Sequence, residues 1–237
     1  MLKYLLVALA FVSSNVLALP ITAQSWIVAT GDGTIINGAN TTELRSIASI
    51  SKLVTAMVVL DANQNLKERI SGSTRGDLLQ LSLVKSNNAA TDQLCNAYPG
   101  GRHECIVAMN RKMQSLGLVN TRFIEPTGLS VFNVSTAEEL VTLVLEAQRY
   151  PEIVTASTSS QIKIKMREKW LVFNNTNPII SKRHQDFIVS KTGYIRASGG
   201  CIVMLLETDI GRRLVVVLGS KNTRTRIPEA EFIAKNY

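Results

Sequence analysis

The sequence predicts an α+β fold of the α/β-sandwich kind: an antiparallel sheet with helices on its faces and a helical subdomain inserted between strands. Three observations predict it. Strand-like patterns open the chain and return at Gln161, where Ile162, Ile164 and Met166 alternate with Lys163, Lys165 and Arg167. Between them lies a block of helical spacing broken by polar stretches. The last strands are joined by turns too short for a crossover, which makes them antiparallel neighbours.

Taken in order, residues 26–30 and 33–38 flank Gly31-Asp32, a hairpin turn between two strands. A helix is expected from 47 to about 63. Residues 64–76 are polar, and Asp77 is placed to cap a helix over 78–85. Ser86-Asn87-Asn88 separates this helix from another over 89–98, so the triplet lies at a junction and is free to face a cleft. A helix over 104–116 stops at Gly117, a fitting left-handed cap. Glu125-Pro126-Thr127-Gly128 marks a loop, and Ser135-Thr136-Ala137-Glu138 reads as a capping box. The helix it opens carries Leu140, Val141, Val144 and Leu145 at core spacing and ends before Pro151. The strand from Gln161 returns the chain to the sheet. Three more follow over 187–191, 201–207 and 213–219, turning at Ser198-Gly199-Gly200 and Asp209-Ile210-Gly211. A short helix begins near Pro228, after which the tail holds few apolar residues.

The 237 residues are 46% hydrophobic and 19% charged, a globular balance that suffices for one core and excludes disorder. Lys3 precedes the apolar run 4–12, and Val16-Leu17-Ala18 offers the residues a signal peptidase reads, so residues 1–18 are expected to be a secretory leader cut after Ala18. The run is shorter than the ~20 residues of a bilayer span. Residues 19–237 then form the mature domain. The formal charge is +8, of which Lys3 supplies one, leaving +7. That charge suits either simple solubility or an anionic surface such as a cell wall. The basic residues are scattered and no groove-binding motif is present, which excludes a nucleic-acid partner.

An exported chain permits Cys95 and Cys105 to pair across Pro99-Gly100-Gly101, while Cys201 lies in an apolar run and reads as a core thiol. A zinc site from Cys95, His103 and Cys105 lacks a fourth ligand, since His184 is distant in sequence.

Chemistry is concentrated around Ser49 and Lys52. Residues 47–60 are apolar or small at nearly every helical position, the pattern of a helix against which the rest of a domain packs. Ser49 and Lys52, three apart, project from one face, whereas Ser51 points about 100° away. Burial lowers a lysine's pKa, and a neutral amine can take a serine's proton. Alone, S-x-x-K is a common pattern that a solvated capping serine also produces. Likewise Ser86-Asn87-Asn88 alone is the composition of a turn. Lys191-Thr192-Gly193 adds a third element at a strand's end: a fixed charge and a hydroxyl for a carboxylate, and a glycine against which a substrate backbone can lie.

S-x-x-K, S-x-N and K-T-G in this order form the set found in penicillin-binding proteins and β-lactamases. Together with residues 47–53, 123–130, 133–137 and Lys191-Thr192-Gly193-Tyr194, they closely resemble the D-alanyl-D-alanine carboxypeptidase and endopeptidase family over roughly residues 25–219. Pro99-Gly100-Gly101 and Asn174-Asn175-Thr176-Asn177 are most similar to its soluble periplasmic endopeptidase branch. The resemblance implies a β-lactamase/transpeptidase-like fold and a serine D,D-peptidase acting on peptidoglycan stem peptides, with β-lactams as inhibitors. It assigns attack to Ser49, proton transfer to Lys52 and relay to Ser86. Asn88 would hold the substrate amide, Lys191 and Thr192 a carboxylate, and the N–H groups of Ser49 and Tyr194 the oxyanion beside Gly193.

The resemblance requires no metal and no organic cofactor, and it leaves endopeptidase and carboxypeptidase as alternatives, the former preferred. A β-lactamase is disfavoured because no E-x-x-x-N pattern lies between Ser86 and Lys191. A non-catalytic wall-binding protein is disfavoured by the intact motif residues. The segment from Asp61 to Asp77, which borders the cleft, is shorter than the family pattern. The mature protein is expected in the periplasm with no stable membrane anchor.

Overall fold

Strands β1 (Ser25–Thr30) and β2 (Ile35–Ala39) form the first hairpin. The computed structural model describes residues 21–237 apart from 167, 168, 184 and 185; the expected leader, Arg167 and His184 lie outside the described residues. The chain then passes through β3 (Arg45–Ser46), a 3-10 turn at Ala48–Ile50 and α1 (Ser51–Asp61). A small hairpin of β4 (Arg69–Ile70) and β5 (Ser73–Thr74) follows, then α2 (Arg75–Val84), α3 (Asn88–Asn96) and α4 (Gly101–Ser115). β6 (Val134–Ser135) pairs with β3 and leads to α5 (Ala137–Ala147) and α6 (Pro151–Thr158). The remaining elements are β7 (Gln161–Met166), β8 (Lys169–Asn174), α7 (Ile180–Arg183), β9 (Phe187–Ile195), β10 (Gly199–Leu206), β11 (Arg213–Ser220) and α8 (Arg226–Asn236).

The main sheet has the order β2-β1-β11-β10-β9 and is antiparallel throughout, so the helical block is an insertion between strands of one sheet, as expected. Its strands alternate between two cores. Ile27, Val203, Leu205, Val216 and Leu218 face the helical block, and Trp26, Val28, Met204, Val215 and Val217 face the other way. That second face is covered by α8, whose Ile227, Ala230, Ile233 and Ala234 are buried. The tail is therefore a packed layer of the fold, because small alanines let the helix lie close. α1 is buried from Ser51 to Val59 and touches α2, α3, α4, α5 and α6, which accounts for its all-round apolarity.

Several expected boundaries move. Thr74, not Asp77, caps α2: Thr74 Oγ1 accepts from Asp77 N at 3.0 Å while Asp77 Oδ2 accepts from Thr74 N at 3.1 Å, a reciprocal box. The cap of α5 shifts by one residue to Thr136, which accepts from Glu139 N, because Ser135 is committed to β6 and bonds Thr121. α5 does end before Pro151, at Ala147, and the proline starts α6, where its missing N–H costs nothing. β7 does not join the main sheet; it pairs with β8 in a separate ribbon. β8 escaped the sequence reading because Trp170, Leu171 and Val172 are all exposed and do not alternate. Lys191-Thr192-Gly193 lies within β9 and does not close it, the ladder continuing to Ile195 opposite Gly199. Cys95 and Cys105 form a disulfide joining α3 to α4, and Cys201 is a buried free thiol.

Candidate active site

Ser49 is not in the α-helix. It occupies the 3-10 turn that enters α1, because Ile47 N is held by Asn133 O at 3.1 Å and Ala48 has a φ of +46°, off the helical path. The three-residue spacing survives this change: Lys52 Nζ donates to Ser49 Oγ at 2.9 Å. Lys52 also donates to Asn88 Oδ1 at 2.7 Å and to the Thr127 carbonyl. Ser51, as its position on the helix implied, points elsewhere, donating to Ala48 O at 2.8 Å and accepting from Asn133 Nδ2.

The Lys52 side chain is fully buried. Burial pushes its pKa down, and the carboxylates of Glu125 and Asp92 pull part of the way back, leaving it at about 8. A neutral amine is then present in about one molecule in ten at pH 7, enough for a general base.

The polar triplet divides its work. Asn87 caps α3, its Oδ1 accepting from Ala90 N at 2.8 Å. Its two neighbours face the cleft: Asn88 meets Lys52, and Ser86, in a left-handed conformation at φ +55°, accepts from Lys191 Nζ at 2.9 Å. Lys191 is buried, and burial, followed by the like charges of Lys52 and Arg226, holds its pKa well below the ordinary lysine range. Thr192 Oγ1 donates to Thr176 Oγ1 at 2.7 Å.

β9 is the last strand of the sheet and lies against the turn that carries Ser49. Gly193 makes the approach possible: a Cβ there would stand 2.9 Å from Ser49 N. The Tyr194 side chain is exposed. Ser49, Lys52, Ser86, Asn88, Lys191 and Gly193 are thus brought to one place. An ordered nucleophile–amine pair with a second amine beside it can do acyl transfer.

The loop after α4 contributes to this site although no catalytic motif marks it. Glu125 accepts from Thr127 N, Thr127 Oγ1 and Gly128 N at 2.6–2.7 Å and from Ser130 N at 3.3 Å. That cage aims the Thr127 carbonyl at Lys52. The available signal was a carboxylate followed at two and three residues by Thr and Gly, a pattern in which an acidic side chain gathers neighbouring N–H groups.

The family model described as D-alanyl-D-alanine carboxypeptidase matches residues 12–72 and 68–222. A D-alanyl-D-alanine endopeptidase of Escherichia coli is 42% identical over 183 residues, covering 68% of this chain and 59% of its own length. One of Pseudomonas aeruginosa is 36% identical over 222 residues, covering 84% of this chain and 71% of its own. The chain therefore spans about three fifths of the Escherichia coli relative. Penicillin-binding protein D2 from Listeria monocytogenes, in its ampicillin-bound form, superimposes with a TM-score of 0.79 at 24% identity, over 91% of this chain and 97% of that one. The likeness bears out the expected β-lactamase/transpeptidase-like fold.

Proposed function

The chain belongs to the D-alanyl-D-alanine carboxypeptidase family, and from that premise we propose that it is a serine D,D-peptidase of peptidoglycan stem peptides, cutting cross-links in preference to free termini. The observation that carries this reading is the 2.9 Å contact between a buried, pKa-lowered Lys52 and Ser49 Oγ.

Neutral Lys52 takes the Ser49 proton as Oγ attacks the D-Ala carbonyl carbon. The N–H groups of Ser49 and Tyr194 receive the oxyanion; a single such donor contributes about 3–4 kcal/mol. Collapse breaks the C–N bond, and the proton held by Lys52 passes to the leaving amine, with Ser86 as relay. Water, deprotonated in turn by Lys52, hydrolyses the Ser49 ester and regenerates the hydroxyl. Asn88 orients the substrate amide while holding Lys52, and Lys191 and Thr192 bind the free carboxylate of the leaving residue. A β-lactam enters the same path, and its retained leaving group keeps water from the ester.

Residues 19–237 constitute the catalytic domain in this reading, exported to the periplasm by the leader. The Cys95–Cys105 disulfide accords with an oxidising compartment. Among the described residues no helix is long and apolar enough to cross a membrane.

The test is incubation of the mature protein and a Ser49→Ala variant with fluorescent penicillin, then with purified monomeric and cross-linked muropeptides. Labelling and cleavage are expected in the first and absent in the second. Cleavage that persists in the variant would sink the assignment.

A further inference from the structure

Thr192 is hydrogen-bonded to a residue outside the motif. Thr176, which accepts its hydroxyl, also lines a second hollow of about 610 Å³, between the segment after β8 and the start of α8. Lys182 lines it from α7, and Thr223, Arg224 and Arg226 from the entry to α8, with Glu231 further along that helix. Three cations against one carboxylate leave it net positive. Lys182 and Arg224 are exposed and, among the described residues, neither has an acidic partner. Arg226 is 7% exposed; it gives Nη1 to Gly193 O at 2.5 Å and leaves Nε without a partner. One guanidinium therefore ties the Lys191-Thr192-Gly193 strand to this hollow.

We propose that the hollow receives the leaving half of a cross-linked substrate and holds its carboxylates through Lys182 and Arg224. The inference rests on the D,D-peptidase reading and deepens it. In a cross-link, the residue after the scissile bond carries a free carboxylate, placed by that reading at Lys191 and Thr192. Its side chain then continues into a second, anionic stem peptide. The step from Thr192 to Thr176 gives that continuation its direction. A terminal D-Ala stops at its carboxylate and reaches none of the hollow. The two substrate classes thus differ in what lies beyond Thr192, and here that space is cationic.

The experiment compares the mature protein with the double variant Lys182→Glu, Arg224→Glu on fluorescent-penicillin acylation, D-Ala release from a monomeric pentapeptide, and cleavage of a cross-linked dimer. Expected is a loss of about tenfold or more in kcat/KM on the dimer alone, with the other two rates unchanged. The dimer reaction of the unaltered protein should also weaken with salt, and that of the variant should not. A dimer rate within twofold of the unaltered protein, or an equal loss on the pentapeptide, overturns the proposal. So does an unaltered protein that trims the pentapeptide but leaves the dimer whole. Failure of the peptidase reading itself is seen separately, as an unaltered protein that neither takes up penicillin nor cuts either peptide.

Discussion

A methyl group on Gly128 would overlap the carbonyl oxygen of Ala48, the residue before the nucleophile. From β9, a methyl on Gly193 would come within 2.9 Å of Ser49 N and 3.0 Å of Ile47 O. The turn bearing Ser49 is therefore held between two backbones that only glycine lets this close. The left-handed φ of Ala48 is sustained by that enclosure.

Gly193→Ala should slow penicillin acylation by about 10²–10³-fold, because it displaces the Ser49 N–H that the oxyanion needs. Gly128→Ala meets both the overlap and an unfavourable φ of +81°, so it should also lower stability by roughly 1–3 kcal/mol. Labelling rates and thermal unfolding of the two variants check this. Gly193→Ala labelling at the unaltered rate would remove Ser49 N from the proposed mechanism.

Acylation requires neutral Lys52, so its rate should rise with pH along a limb centred at about 8. Burial sets that value against the pull of Glu125 and Asp92. Asn88→Asp places a carboxylate on the amine in place of the amide oxygen now 2.7 Å away, favours the ammonium, and should move the limb upward. Glu125→Gln removes an anion and should move it downward. Stopped-flow acylation from pH 6 to 10 decides the matter, and a limb that shifts the same way in both variants counts against Lys52 as the base.

Much of this centre was legible in the sequence because its groups come from short motifs whose spacing survives small changes in backbone. Ser49 and Lys52 meet whether the first lies in an α-helix or, as here, in a 3-10 turn. Less legible was anything fixed by contact between distant segments. The strain at Ala48 comes from residues 128 and 193, and the role of Thr176 from a strand it does not belong to. The ribbon of β7 and β8 was half missed because exposed Trp170, Leu171 and Val172 give no alternation to read.

The disulfide offers a test of stability apart from chemistry. It closes a loop of sequence separation 10 between α3, which begins with Asn88, and α4. The chain-entropy relation gives about 2.5–3 kcal/mol for a loop of this size. Replacing Cys95 and Cys105 by alanine should lower the denaturation midpoint accordingly. Acylation at 25 °C should persist, since Lys52 and Thr127 hold the site independently of that link. An unchanged midpoint would mean the bond is not formed in the isolated protein.

Lys191 makes the strongest pH prediction for binding. Its pKa lies well below the ordinary range, through burial first and then the repulsion of Lys52 and Arg226. A carboxylate arriving at its Nζ supplies the missing counter-charge and favours the ammonium, so binding should take up a proton wherever the free amine is neutral. Affinity of the Ser49→Ala variant for a peptide with a free carboxylate should therefore fall as pH rises, and an amidated peptide should show no such slope. Calorimetry in two buffers of different ionisation enthalpy reads the proton directly. Uptake near zero across pH 7–9 would mean that Lys191 keeps one charge state whether or not the carboxylate is bound, and the strand would then not be completed by its ligand.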